Sequence, residues 1–259
     1  MQTPSLSDYA TYPSLAGRTV FVTGGSSGIG ADIVIAYARQ GAKVGFTGRN
    51  AEAAAKVVEA ASALGPTPLF LKSDAADVAA LKSAIATTAE RFGDISVLVN
   101  NVANDQRHDL ADVTQEDFDW RVAINLRPAF FAAQSVVEGM KRLGGGAIVN
   151  LGSISWMIKG AGYPVYATCK SATVGLSRSL ARDLGKLNIR VNTLSPGWIM
   201  TEKQLTMWVD EAGEKAMDEN QCLPGRIVGS DVANMALFLS ADDSRMVTAQ
   251  DFVVDAGWT

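Results

Sequence analysis

Histidine is nearly absent: His108 is the single one in 259 residues. One imidazole excludes a three-histidine metal site within one chain, and a serine–histidine triad would have to be built on that residue. Cysteine is almost as scarce. Cys169 and Cys222 lack the paired spacing of a zinc site and read as free thiols of a reducing, cytoplasmic compartment. No metal is expected. No apolar run approaches the ~20 residues that cross a bilayer, and residues 1–15 have neither the basic start nor the apolar block of a signal peptide. No membrane partner is expected. Positive charge is not in surplus either: 23 Lys and Arg stand against 27 Asp and Glu, a net charge of −4. That balance argues against a nucleic-acid partner. Internal repeats, low-complexity tracts and linkers are absent too.

What remains is a globular composition, 47% hydrophobic and 19% charged, long enough for one sizeable core. After a polar tail over 1–16, short apolar runs alternate with helical periodicity. Strands are predicted at 18–23, 42–47, 68–72, 95–99, 147–151, 189–194 and 252–254. Helices are predicted at 28–40, 51–64, 78–92, 118–140, 164–184 and 231–239. Thr114 with Asp117 reads as the helix start before 118–140, and Pro128 predicts a break or kink within it. Nearly continuous apolar strands alternating with helices predict an α/β fold: a single domain over 17–259 built on a doubly wound parallel sheet. Residues 197–229 show weak periodicity and read as a functional insertion, with Met200, Met207 and Trp208 as a candidate lid.

The first strand-to-helix turn reads Thr23-Gly24-Gly25-Ser26-Ser27-Gly28-Ile29-Gly30. Glycines here let the backbone turn sharply and approach a pyrophosphate at a helix N-terminus. Further along come Asn100-Asn101-Val102-Ala103, Ser153 and Pro196-Gly197 with Ile199 and Thr201, beyond the ends of predicted strands, and Asn125 and Tyr166-x-x-x-Lys170 within predicted helices. The ordered set resembles the short-chain dehydrogenase/reductase family over nearly the whole chain. Val102-Ala103 departs from the family's usual Ala-Gly. The resemblance implies a Rossmann-type sheet, a nicotinamide dinucleotide, oxidoreductase activity and a homotetramer.

The chemistry follows from the residue types. Oxidising an alcohol needs a base for the hydroxyl proton and an acceptor for the hydride. Tyr166 and Lys170 are one helical turn apart and share a face, so the ammonium is expected to favour the phenolate. Ser153 is expected to hold the substrate oxygen. Asn125 is given a catalytic part by the resemblance alone, behind Lys170. For the cofactor, Gly48 stands where an NAD-selective acid would be and Arg49 follows it, a match for a 2′-phosphate, with Ser26 as a further donor. NADP is therefore favoured, with NAD as the alternative. The resemblance adds Ser27, Gly28, Ile29, Gly30, Asp74, Asn101, Val102, Pro196, Gly197, Ile199 and Thr201 to Gly24, Ser26, Arg49, Tyr166 and Lys170 on the cofactor side.

Asn104-Asp105-x-Arg107-His108, Ser153-Ile154-Ser155-Trp156 and the closing Asp255-Ala256-Gly257-Trp258 resemble the bacterial aldose 1-dehydrogenase branch of that family, which oxidises the anomeric hydroxyl of a cyclic sugar to a lactone. A sugar ring calls for several directed polar groups and an aromatic wall. Asn104, Arg107, His108, Ser153, Ser155, Trp156, Tyr166 and Trp198 are the expected substrate contacts. Two other readings stay open: a reductase of another substrate, such as a 3-oxo compound, and a catalytically silent nucleotide-binding scaffold.

Overall fold

Seven apolar runs form seven strands: β1 (Thr19–Thr23), β2 (Lys43–Gly48), β3 (Leu69–Lys72), β4 (Val97–Asn100), β5 (Gly146–Leu151), β6 (Ile189–Pro196) and β7 (Asp251–Val254). They make one sheet in the order β3-β2-β1-β4-β5-β6-β7, and every pairing is parallel. The structure is a computed structural model describing residues 9–259. Residues 1–8 of the expected tail lie outside the described residues. The rest of that stretch packs onto the domain. Leu15 is fully buried, and the Tyr12 N–H donates to the Gln40 side-chain oxygen at 2.7 Å.

The inner strands β1, β4, β5 and β6 are buried on both faces, as a parallel sheet requires, while the edge strands β3 and β7 are half-buried. Along β1, Val20 and Val22 point into one core cluster and Phe21 into the other, the two-residue period of a strand. The first cluster is closed by α1 (Gly28–Arg39), α2 (Ala51–Ser62) and α9 (Gly229–Ser240). The second is closed by α3 (Val78–Phe92), α5 (Arg127–Arg142) and α6 (Pro164–Leu184). Among the described residues no helix is long and apolar enough to cross a membrane.

Two stretches refine the sequence expectation. The stretch expected as a helix over 118–140 with a break or kink at Pro128 is two helices, α4 (Gln115–Asn125) and α5; the break is found, at Leu126, and the outer bounds lie two to three residues wider. Pro128 has no N–H to give the Ile124 carbonyl four residues back, and its ring crowds that carbonyl, so one helix cannot run through. The Thr114 hydroxyl caps α4, accepting from the Asp117 N–H at 3.2 Å. The stretch 197–229 is not loop throughout. It holds α7 (Glu202–Met207) and α8 (Glu211–Asn220). Both are polar: α7 buries no residue and α8 only Gly213 and Met217, so neither carries the apolar stripe that periodicity detects.

The strand order reverses between β1 and β4, where Thr23 pairs with Asn100. In such sheets the crevice beyond the carboxyl ends at the switch point is where ligands bind.

Candidate active site

One cleft of about 1250 Å³ opens beyond the ends of β1, β2, β4, β5 and β6. Its first half is made of backbone. Gly24 and Gly28 have φ of +70° and +54°, a left-handed region closed to most side chains. A Cβ on Gly30 would lie 2.1 Å from the Gly24 carbonyl oxygen, so α1 can seat against the loop only without a side chain there. The Asn101 side-chain amide donates to the Thr23 and Gly24 carbonyls at 3.1 and 2.9 Å, and the Thr23 hydroxyl accepts from the Asn101 and Val102 N–H groups. The Val102-Ala103 departure therefore leaves this anchor intact. Val102 packs onto the turn, its Cγ2 2.8 Å from where a Gly24 Cβ would be.

At the far end of this half, a Cβ on Gly48 would meet the Ser26 hydroxyl at 2.4 Å. The loop as packed leaves no room for an acid there. Arg49 is exposed and lines the cleft, and no ion pair holds it among the described residues. Every residue expected on the cofactor side, from Gly24 and Ser26 through Asp74 to Pro196, Gly197, Ile199 and Thr201, lines this one cleft. These residues fit a dinucleotide: an N-terminal helix end with open amides, glycines that let a pyrophosphate approach, and a free guanidinium near a serine hydroxyl.

The second half is made of side chains. Ser153, Tyr166 and Lys170 line the cleft together. The Lys170 ammonium donates to the Leu151 carbonyl at 2.6 Å, and its Nζ is 5.7 Å from the Tyr166 ring centre. Burial pushes Lys170 down to about 8. Burial also pushes the Tyr166 phenol above its ordinary value, with the Ser153 hydroxyl pulling it back and Asp105 adding to the rise. Lys170, turned toward the Leu151 carbonyl, is not among the groups that shift the phenol, and burial is the largest influence on it.

Asn125 stands apart from the cleft wall. Its side chain is buried and spent on backbone, accepting from the Asn104 N–H at 2.7 Å and donating to the Asn104 and Arg121 carbonyls at 3.1 and 3.0 Å. It shares a small inner cavity with Lys170, Asn100 and Asn150.

Of the expected substrate contacts, Asn104, Arg107, Ser153, Ser155, Tyr166 and Trp198 line the cleft, whereas His108 and Trp156 do not. His108 Nε2 accepts from the Val165 N–H at 3.3 Å, and its Nδ1 pairs with the Gln106 carbonyl at 3.0 Å. It caps the start of α6 rather than facing a ligand. Trp156 lies on a one-turn helix and is 39% exposed. Trp208, expected as part of a lid, is also outside the lining and stacks on Arg107, whose guanidinium lies 5.2 Å from Trp208 and 4.2 Å from the Tyr163 ring. Sequence reading missed Tyr163, Lys203, Gln204 and Trp258 as lining residues. Tyr163 carries a signal in hindsight, since it lies three residues before Tyr166 on the approach to α6. Among the described residues, no three His, Cys, Asp or Glu side chains gather where they could hold a metal ion.

Comparison with known proteins agrees with this construction. A family model described as enoyl-(acyl carrier protein) reductase matches residues 24–259. The chain is 42% identical over 247 residues to a probable galactose dehydrogenase of Rhizobium meliloti (strain 1021), covering 95% of this chain and 96% of that protein. It is 43% identical over 250 residues to the D-xylose 1-dehydrogenase of Caulobacter vibrioides, covering 96% and 98%. Among solved structures it is similar to a blue fluorescent protein from a metagenomic library in complex with NADPH, at 36% identity and a TM-score of 0.87, covering 95% of this chain and 99% of that one. The motif order, the sheet order and these matches lead to one conclusion: the chain belongs to the short-chain dehydrogenase/reductase family, and it is an NAD(P)-dependent oxidoreductase.

Proposed function

We propose that the protein oxidises the anomeric C1 hydroxyl of an aldose, a pentose or hexose, to the lactone, with NADP favoured over NAD. The observation that carries this reading is the meeting, in one cleft, of Ser153, Tyr166 and Lys170 with a polar loop, Asn104 to Arg107, and the Trp198 indole. A sugar presents hydroxyls to the polar loop and a C–H face to an indole. The likeness to two sugar dehydrogenases at 42% and 43% identity supports the same substrate class.

A bound dinucleotide would supply the hydride acceptor, held by the Gly24–Gly30 turn, Asp74, the Asn101–Val102 backbone and the Pro196–Thr201 segment. Arg49 and the Ser26 hydroxyl would take the 2′-phosphate, because a Cβ at Gly48 would collide with Ser26 as packed and, among the described residues, no ion pair holds the guanidinium. Tyr166 is the general base for the C1 hydroxyl proton. Ser153 donates to the substrate oxygen; before substrate enters, its hydroxyl and the Arg107 charge pull the phenol toward ionisation. Lys170, partly neutral near pH 8 through burial, can pass a proton inward to the cavity it shares with Asn125. Because the phenol is pushed up, sugar oxidation is favoured as pH rises, and carbonyl reduction, in which Tyr166 donates, at lower pH.

The chain is also proposed to assemble as a homotetramer. Phe118 on α4, Phe130 on α5, and Met246 and Val253 by the sheet edge leave apolar side chains 38–81% exposed, which neighbouring subunits would cover. Sedimentation at micromolar concentration reads the assembly. The chemistry is tested by following C1 of D-xylose and D-galactose by carbon NMR in the presence of NADP. Conversion of the anomeric signal to a lactone or acid carbonyl is expected. An unchanged C1 with oxidation elsewhere on the sugar would contradict the reading.

A further inference from the structure

Helix α7 has nothing beneath it: none of its residues is buried, and Leu205 and Met207 are 52% and 56% exposed. Yet Lys203, Gln204 and Thr206 from this helix line the cleft. A six-residue helix without a packed face is marginal by itself, so its place over the cleft is set by side chains. Those ties converge on Asp105, in the loop after β4. One carboxylate oxygen accepts from the Lys203 ammonium, and the other accepts from the Gln204 amide at 2.6 Å. The Gln204 carbonyl in turn accepts from the Trp198 indole N–H at 2.9 Å, and the Trp198 ring is tilted against Trp258, 6.4 Å away. Two residues beyond Asp105, Arg107 stacks on Trp208 at the end of α7.

The carboxylate is built for this use. Its side chain is 24% exposed. Burial alone would raise its pKa, but the Lys203 bond and charge and the Gln204 bond outweigh that and hold it below the ordinary range. It therefore stays an anion with both oxygens engaged, which makes the bonds charge-assisted.

We infer that Asp105 is a positioning residue for substrate: through Lys203 and Gln204 it fixes α7 over the cleft, and through Gln204 it sets the plane of the Trp198 wall. Resting on the reading of this cleft as a sugar site, the assignment makes one side chain bear more on substrate affinity than on the dinucleotide end. Trp198, Lys203 and Gln204 line the cleft together with Tyr166, whose phenol feels the Asp105 charge, while Thr201, the residue ahead of α7, faces the glycine turn at Gly28. The glycine turn is anchored separately by Thr23 and Asn101.

The test uses the full-length enzyme carrying Asp105→Ala, Asp105→Asn or Gln204→Ala, with NADPH bound for hydrogen exchange and NADP as the hydride acceptor for turnover. Hydrogen exchange of the backbone amides over 198–208 is compared with that of β4, alongside aldose KM, kcat and NADPH Kd. Loss of two charge-assisted bonds is expected to raise exchange over 198–208 and aldose KM by about tenfold in Asp105→Ala, with NADPH Kd and kcat each within about threefold. Asp105→Asn keeps an acceptor for Gln204 and loses the ammonium's partner, so it falls between Ala and wild type. Gln204→Ala leaves the Lys203 ion pair and still raises aldose KM, and it decides the matter if Asp105→Ala does not fold. Unchanged exchange over 198–208 would overturn the inference, as would equal weakening of aldose and NADPH. If the wild type turns over no aldose while binding NADPH, the sugar reading falls, and raised exchange in Asp105→Ala still upholds the strut.

Discussion

The two halves of the cleft are built differently. The dinucleotide half is backbone, shaped by glycines whose neighbours leave no space for a Cβ and anchored by bonds from Thr23 and Asn101. The substrate half is side chain on side chain: Asp105 with Gln204, Gln204 with Trp198, Arg107 between two rings. A backbone cradle suits a ligand with an invariant pyrophosphate. Side-chain struts can be re-cut for one hydroxylated substrate or another without disturbing the sheet. The difference implies that changes in the first half affect the cofactor and stability, and changes in the second affect substrate choice.

The largest effect should fall where the halves meet. Tyr166→Phe removes the proton acceptor and little volume. It is expected to lower kcat by about a thousandfold while NADPH titration gives an unchanged Kd; retained turnover would place the base elsewhere. On the dinucleotide side, Gly30→Ala drives a Cβ into the Gly24 carbonyl. Overpacking of this kind costs about 1–3 kcal/mol, read as a lower Tm and a weaker NADPH Kd, with aldose KM at saturating cofactor little changed. Arg49→Ala should raise KM for NADP about tenfold, the loss of one charge-assisted contact, and leave KM for NAD alone. Equal changes would remove the phosphate contact from the account. The smallest effect is expected at His108, which caps α6 from outside the cleft. His108→Ala should cost about 1 kcal/mol of stability with substrate KM unchanged. A large rise in KM would move His108 into the substrate half and blur the contrast.

The same contrast explains what the sequence makes legible. Parallel strands buried on both faces announce themselves as apolar runs, and the glycine turn can be read because its residues are consecutive and each has a steric reason. The switch point follows from the order of strands. The substrate half is far harder to read. Asp105 and Gln204 are 99 positions apart, and no local pattern links them. α7 and α8 lack an apolar stripe because the little they bury is one methionine and one glycine. His108 and Trp156 carry residue types that suit a sugar, yet one is turned to the backbone of 106 and 165 and the other to solvent. Residue type and loop address do not fix side-chain direction. The Tyr166 phenol makes the same point in electrostatics: helical spacing places Lys170 on its face, but burial and the Leu151 carbonyl decide what that lysine does.

The most direct measurement is absorbance of the reduced nicotinamide on mixing the protein with NADP, and separately NAD, against D-xylose, L-arabinose, L-fucose, D-galactose and D-glucose. The account predicts turnover of one or two of these sugars, faster with NADP. Silence across the panel, with NADPH still bound, would contradict the sugar assignment and return the substrate half of the cleft to another alcohol or carbonyl.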